Sequence, residues 1–210
     1  MVDTATAPSG NAWTRLANSN PIMEFIDVTL RGSGQVIFMD NPLTGLLNFV
    51  AMFVGAARGG TSFEVAIGSV IGTMVSTAMA YLLKANRGNL KAGIYGFNGM
   101  LVGACLPTFL AANPLMWLFL VVGSAVSTIV IMAVANFLAP YKMPAFTFPF
   151  VLTCWLIVLY AKKITGLPPS AGGPLPEGGF NFITAGLNSV SQVWFVADWV
   201  AGIIFLVALA

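Results

Sequence analysis

Few side chains within the apolar stretches of this sequence carry hydrogen-bonding chemistry. Gln35 and Gln192 each offer an amide oxygen and amide hydrogens, and each is followed three positions later by a phenylalanine, Phe38 and Phe195. Thr147 stands between Pro144 and Pro149 in MPAFTFPF, where the prolines disturb the helix and free carbonyls that need partners. Residues 93–107, GIYGFNGMLVGACLP, add Phe97, Leu101 and glycines 93, 96, 99 and 103 at helical spacing. Such a stripe lets another backbone or a small solute come close. These groups suit binding and passage rather than bond cleavage. The sequence has no histidine, and Asp40, Glu64 and Asp198 stand at expected helix starts, so neither a nucleophile with its base nor a metal cluster can be assembled. No cofactor is expected.

The elements that position these residues belong to a membrane. Of 210 residues, 58% are hydrophobic and 8% charged, and the mean hydropathy is +0.88. No single soluble core hides that much apolar surface, and several uncharged runs reach the roughly 20 residues that a bilayer demands. The sequence predicts an all-α polytopic membrane protein. A net charge of +2, scattered among loops, excludes a nucleic-acid surface. Cys105 and Cys154 lie in apolar segments and read as small hydrophobes rather than metal ligands.

Along the chain, residues 1–21 form a polar tail without the basic start and apolar centre of a signal peptide. Residues 22–38 hold Glu24, Asp27 and Arg31, which predicts an amphipathic or interfacial helix. Asp40-Asn41-Pro42 supplies a cap and a proline at the first helical position of a helix running to about Ala57. Thr61-Ser62-Phe63-Glu64 reads as a capping box opening a span over 63–83, which makes Glu64 a cap rather than a transport carboxylate. Lys84, Arg87 and Lys91 form the most basic loop, cytoplasmic by the positive-inside rule. Pro107 and Pro114 bracket a link, so residues 93–106 predict a helix too short to cross, tilted or re-entrant and packed in protein or along a cavity. Spans are expected over 115–138 and 151–161, and Phe146, Phe148 and Phe150 read as packing or lipid-facing aromatics. Asn98 reads equally as a structural hydrogen-bonding residue or a solute contact.

The last segment repeats the first. Shifted by 157 positions, QVIFMDNPLTGLLNFVAMF lies over QVWFVADWVAGIIFLVALA, with identities that include Gln35/Gln192, Phe38/Phe195 and Gly45/Gly202. The sequence therefore predicts a tail (1–21), a first membrane repeat (22–163), an extramembrane loop (164–186) and the start of a second membrane repeat (187–210) that ends soon after it begins. Two-fold repeats in transporters place the substrate path between the copies.

QVIFMDNPLTGLL, GIYGFNGMLVG and MPAFTFPFVLTCWL, in this order, resemble three successive signatures of the urea transporter family, with Met143 in place of a usual leucine. The resemblance covers residues 35–210. It implies an inverted-repeat helical fold with a short pore helix, passive channel-like passage of urea between two inverted halves, a homotrimer in the cell membrane, and a pore wall completed by the rest of the second copy. It also implies that Gln35, Phe38, Phe97, Leu101, Thr147, Gln192 and Phe195 contact urea. Urea has four N–H donors and one carbonyl, and an unpaired polar group costs roughly 2–7 kcal/mol in an apolar medium, so these groups would replace lost water contacts. The phenylalanines would hold the flat molecule between ring faces, and Leu101 would narrow the middle. The alternative is a non-conducting structural or assembly subunit. An ammonium channel would need pore histidines, an aquaporin-like channel paired Asn-Pro-Ala boxes, and ion-coupled transport intramembrane ionisable groups.

Overall fold

Asparagine followed by proline starts three of the helices. Asn20, Asn41 and Asn113 accept hydrogen bonds from the N–H groups of Met23, Leu43 and Met116 at 2.9, 2.9 and 2.8 Å, and the next residue is proline in each case. Proline lacks only an N–H that would have no helical partner there, and its φ already suits the helix. The computed structural model describes residues 12–171 and 181–210. Among these, ten α-helices run in the order α1 (Ala12–Ala17), α2 (Pro21–Gly34), α3 (Pro42–Ala57), α4 (Phe63–Leu82), α5 (Arg87–Lys91), α6 (Phe97–Phe109), α7 (Pro114–Leu138), α8 (Phe148–Tyr160), α9 (Phe182–Ser191) and α10 (Trp199–Ala208). The first part of the expected tail, residues 1–11, and part of the expected loop, residues 172–180, lie outside the described residues.

Among the described residues, three helices are long and apolar enough to cross a membrane: Phe63–Leu82, Pro114–Tyr141 and Phe148–Thr165. Two helix pairs meet the same test only together, bent by 75° between α2 and α3 and by 70° between α9 and α10. The helix expected at the interface over 22–38 is thus the first arm of a bent pair. Its Asp27, Val28, Thr29, Gly32 and Ser33 are buried. The loop expected over 164–186 already contains the first turn of α9. The capping box at Thr61–Glu64 does not form, because the helix takes Ser62 rather than Thr61 as its N-cap, which moves Glu64 off the N3 position, and Ser62 makes no side-chain cap bond.

The short helix also differs from expectation at both ends. Gly93 does not belong to α6. It has φ +78° and closes α5, with Gly93 N–H donating to Leu90 O (2.9 Å) and Ile94 N–H to Asn89 O (3.0 Å), the paired bonds of a Schellman cap. At the other end Pro107 lies inside the helix, which continues to Phe109. The carbonyl that Pro107 cannot satisfy is that of Gly103, and it lies close against Gly68 of α4, leaving room that the interruption needs.

The glycine stripe serves backbone packing. Gly103 faces Gly68, Gly99 faces Gly72, and Gly96 faces Gly32 of α2. Positions rise in one helix as they fall in the other, so α4 and α6 cross antiparallel with glycines at four-residue spacing in both. Alongside, buried hydroxyls join α4 to α7: Ser76 Oγ donates to Ser124 O (2.7 Å) and Thr128 Oγ1 donates to Ser76 O (3.2 Å). In an apolar medium, close backbone approach and such hydrogen bonds replace the hydrophobic force that is missing between helices. As a result every residue of α6 from Phe97 to Pro107 is buried.

A Cβ at position 103 would meet backbone atoms of Gly68 and Ser69, which cannot move away as a side chain could. Gly103→Val is expected to cost about 1–3 kcal/mol of stability. Gly186, with nothing near its absent Cβ, should tolerate alanine. Thermal denaturation in detergent checks the contrast: a large drop for Gly103→Val, and none for Gly186→Ala.

Candidate solute-binding site

Both breaks in the bent pairs are built alike. After α2, a single 3-10 turn over Gln35–Ile37 ends at Phe38 with φ 61°; after α9, a turn over Gln192–Trp194 ends at Phe195, also with φ 61°. In each, the phenylalanine N–H donates to the glutamine carbonyl at 3.0 Å, and the next N–H reaches back to Gly34 O (3.1 Å) or Ser191 O (3.3 Å). Each phenylalanine occupies the left-handed capping position that glycine normally takes. The following helices start on Asn41 and Asp198, and the backbone of Leu30 and of Leu187 fills the space beside Gly45 and Gly202. The sequence repeat is thus a structural repeat at both breaks.

At the first break lies a cavity of about 570 Å³ lined by Gln35, Phe38, Phe97, Tyr95 and Phe146 together with Asn86, Asn89, Asn136 and apolar residues of α7. No charged side chain lines it. Gln35 is buried, and its Nε2 donates to Ala92 O at 2.8 Å, which leaves Oε1 without a protein partner. Phe38 meets Phe146 edge to face, with ring centroids 5.7 Å apart. Phe146, read from sequence as packing or lipid-facing, therefore lines the cavity, and it too has positive φ (46°). A non-glycine residue in the left-handed region costs roughly 1–3 kcal/mol, a strain that concentrates at functional sites. Three adjacent or equivalent aromatics share it here.

Of the residues expected to contact the solute, the fold thus brings Gln35, Phe38 and Phe97 to one cavity. Leu101, one turn further along α6, is buried outside that lining, and Thr147 is half-buried at the start of α8, its hydroxyl without a hydrogen bond. Gln192 and Phe195 stand at the second break. Gln192 is exposed, and Phe195 packs edge to face on Phe109 (6.1 Å) and Phe150 (6.3 Å). Phe97 opens α6 and Phe109 closes it, so the two breaks lie at opposite ends of the short helix. Phe148 is exposed.

Asn98 is a structural clasp. Its Nδ2 donates to Phe146 O (3.3 Å) and its Oδ1 accepts from Phe150 N–H (3.0 Å), tying α6 to the turn and first residues of α8 while fully buried. The signal in the sequence is that an asparagine carboxamide, carrying both donors and an acceptor, can serve a carbonyl and an N–H of one turn at once. Asn86, Asn89 and Tyr95 were also missed, because they lie at the cap of α5, within α5 and in the turn after it, ahead of the short helix. Among the described residues no group of histidine, cysteine or carboxylate side chains could hold a metal.

Helices long and apolar enough to cross a bilayer, with two bent pairs beside a short buried helix, define an integral, all-α membrane protein. The chain belongs to the urea transporter family, whose profile (Urea transporter) matches residues 26–210. It is similar to urea transporter 1 of Ovis aries, 34% identical over 131 residues, and to urea transporter 1 of Mus musculus, 33% identical over 132 residues. Each match covers 61% of this chain and 33% of the relative, so the chain spans about a third of the length of these curated relatives.

Asn98→Leu keeps the branched shape but strands Phe150 N–H and Phe146 O. Leaving a buried donor or acceptor unsatisfied costs about 1–3 kcal/mol, so the variant should unfold at clearly lower temperature than the native protein. An unchanged midpoint would remove Asn98 from the clasp.

Proposed function

We propose that this protein belongs to a passive, channel-like pathway for urea through the cell membrane, in which the two breaks and α6 between them line a narrow pore between two inverted repeats. The observation that carries the reading is the uncharged cavity at the first break, where the free Oε1 of Gln35 adjoins the rings of Phe38, Phe97 and Phe146 in a chain of the urea transporter family. An amide oxygen accepts from urea N–H groups, and ring faces sandwich a planar neutral molecule while giving nothing to a hydrated ion. With α6 about 20 Å long at 1.5 Å per residue, the two aromatic ends mark the mouths of the path. Leu101 and Thr147 lie between them as the constriction and as a hydroxyl acceptor, and Gln192 with Phe195 serves the far mouth. The assembly is a homotrimer with one such path per subunit, and no energy source is coupled to it.

Urea efflux from vesicles containing the full-length natural protein should be linear in concentration at low urea and indifferent to proton or sodium gradients. Uphill accumulation driven by either ion would sink the proposal.

Thr147→Val preserves shape and removes one hydrogen bond, of about 0.5–1.5 kcal/mol in the barrier, so flux should fall roughly 2- to 13-fold. Stopped-flow light scattering reads this directly, and an unchanged rate in a folded variant would return Thr147 to a purely structural place.

A further inference from the structure

The first break offers urea the free Oε1 of Gln35 as a buried acceptor. Gln35 spends one of its two Nε2 hydrogens on Ala92 O and keeps Oε1 and the other hydrogen. Phe38, Phe97 and Phe146 donate nothing. A urea molecule that donates from both of its amide groups to Oε1 of Gln35 points its carbonyl oxygen away from that side chain, so the oxygen needs a donor elsewhere in the wall. In a site that excludes water, leaving it unpaired is costly.

The cavity wall contains one buried side chain that meets the need. Tyr95 is 7% exposed and lines the cavity beside Phe97, two positions before it in the turn between the α5 cap and α6. Its hydroxyl makes no hydrogen bond among the described residues and is not fully enclosed, so it retains contact with open space. A buried tyrosine normally finds a partner for its O–H, which makes this free hydroxyl informative. The turn holds it firmly: Gly96 N–H donates to Gly93 O (3.0 Å) and Gly96 packs on Gly32, so the ring cannot drift far from the wall. The carboxamides of Asn89 and Asn136 also reach the cavity, but both residues are exposed and their donors remain hydrated.

We propose that Tyr95 is a specificity-determining residue whose hydroxyl donates to the carbonyl oxygen of urea while Gln35 accepts from an amide. This rests on the reading of the cavity as a urea path. Together the two groups match a solute that presents donors and an oxygen acceptor on one planar frame. Solutes with the same shape and N–H groups but a weak acceptor gain nothing from Tyr95.

Thiourea is that solute, since its sulfur accepts hydrogen bonds poorly. Urea and thiourea efflux would be measured on the same vesicles for the full-length natural protein and for Tyr95→Phe. The variant removes a hydroxyl that no protein atom uses, so its melting temperature should match that of the native protein. Urea flux should fall roughly 2- to 10-fold, with thiourea flux changed far less, so that the urea-to-thiourea ratio drops. Because the ratio is taken within one preparation, a lower yield of folded variant cancels. A ratio equal to the native one, whether both fluxes hold or both fall together, would overturn the role of Tyr95 while leaving urea passage intact. Absence of urea flux in the native protein would overturn the path itself, and this inference with it.

Discussion

Everything in this fold depends on bringing one short helix into backbone contact with a longer one. α6 is too short to cross a bilayer, and a helix end in hydrocarbon leaves polar groups without partners. The glycine pairs 68/103 and 72/99 solve the problem by sinking α6 against α4 until no side chain separates them. That contact fixes the depth of α6, and the depth decides where its two ends open. One end lies beside Gln35 and Phe38, the other beside Phe195. The hydroxyls of Ser76 and Thr128 then lock α7 to the same seam, so the wall behind the cavity is polar within and smooth toward the helices.

Against this rigid seam the breaks store strain. Glycine at position 38 or 195 would close the preceding helix at less conformational cost, and the same Schellman bonds would form. Phenylalanine is there instead, in a backbone region that bulky residues avoid. The left-handed turn reverses the direction in which the side chain leaves the backbone, and at the first break it brings the ring to the cavity beside Phe146. The strain is intelligible if the ring, rather than the cap, is what the position requires.

The sequence made the membrane class, the family signatures, the short helix and the repeat legible, since each rests on residue type at short spacing. The Asn-Pro helix starts and the Gln-x-x-Phe breaks are local chemistry and could be placed to within a residue or two. What could not be placed rests on contacts between distant segments. Gly93 reads as part of a helical stripe until its pairing with Leu90 reveals a cap, and Pro107 reads as a stop until Gly68 is seen to make room for the Gly103 carbonyl. Gly68 and Gly72 carry half of the central seam, yet nothing at their own positions names α6 as the partner. Phe146 looks like lipid-facing decoration because only the clasp of Asn98 turns its loop toward Phe38.

The two breaks share a backbone but not their supports. At the first, Arg31 reaches from α2 to both Asp27 (2.8 Å) and Asp40, bracing the bend from inside, and Gln35 ties it to Ala92. Shifted by 157 positions, Arg31 becomes Asn188, Asp40 becomes Ala197, and Gln192 is exposed, so none of those braces exists at the second. There the bend is held by the end of α3 and the turn after it: Arg58 pairs with Asp198 at 2.8 Å, and Ala197 N–H donates to Gly60 O at 2.7 Å. Asp198 also caps α10 through Ala201 N–H, so one buried carboxylate both starts the helix and fastens it to α3. Identical turns reached by unrelated supports argue that the invariant is the turn itself and the phenylalanine it sets beside each end of α6. The means of support are free to differ, and at the second break they make the position of that end depend on its contact with Arg58 and Gly60 just past the end of α3.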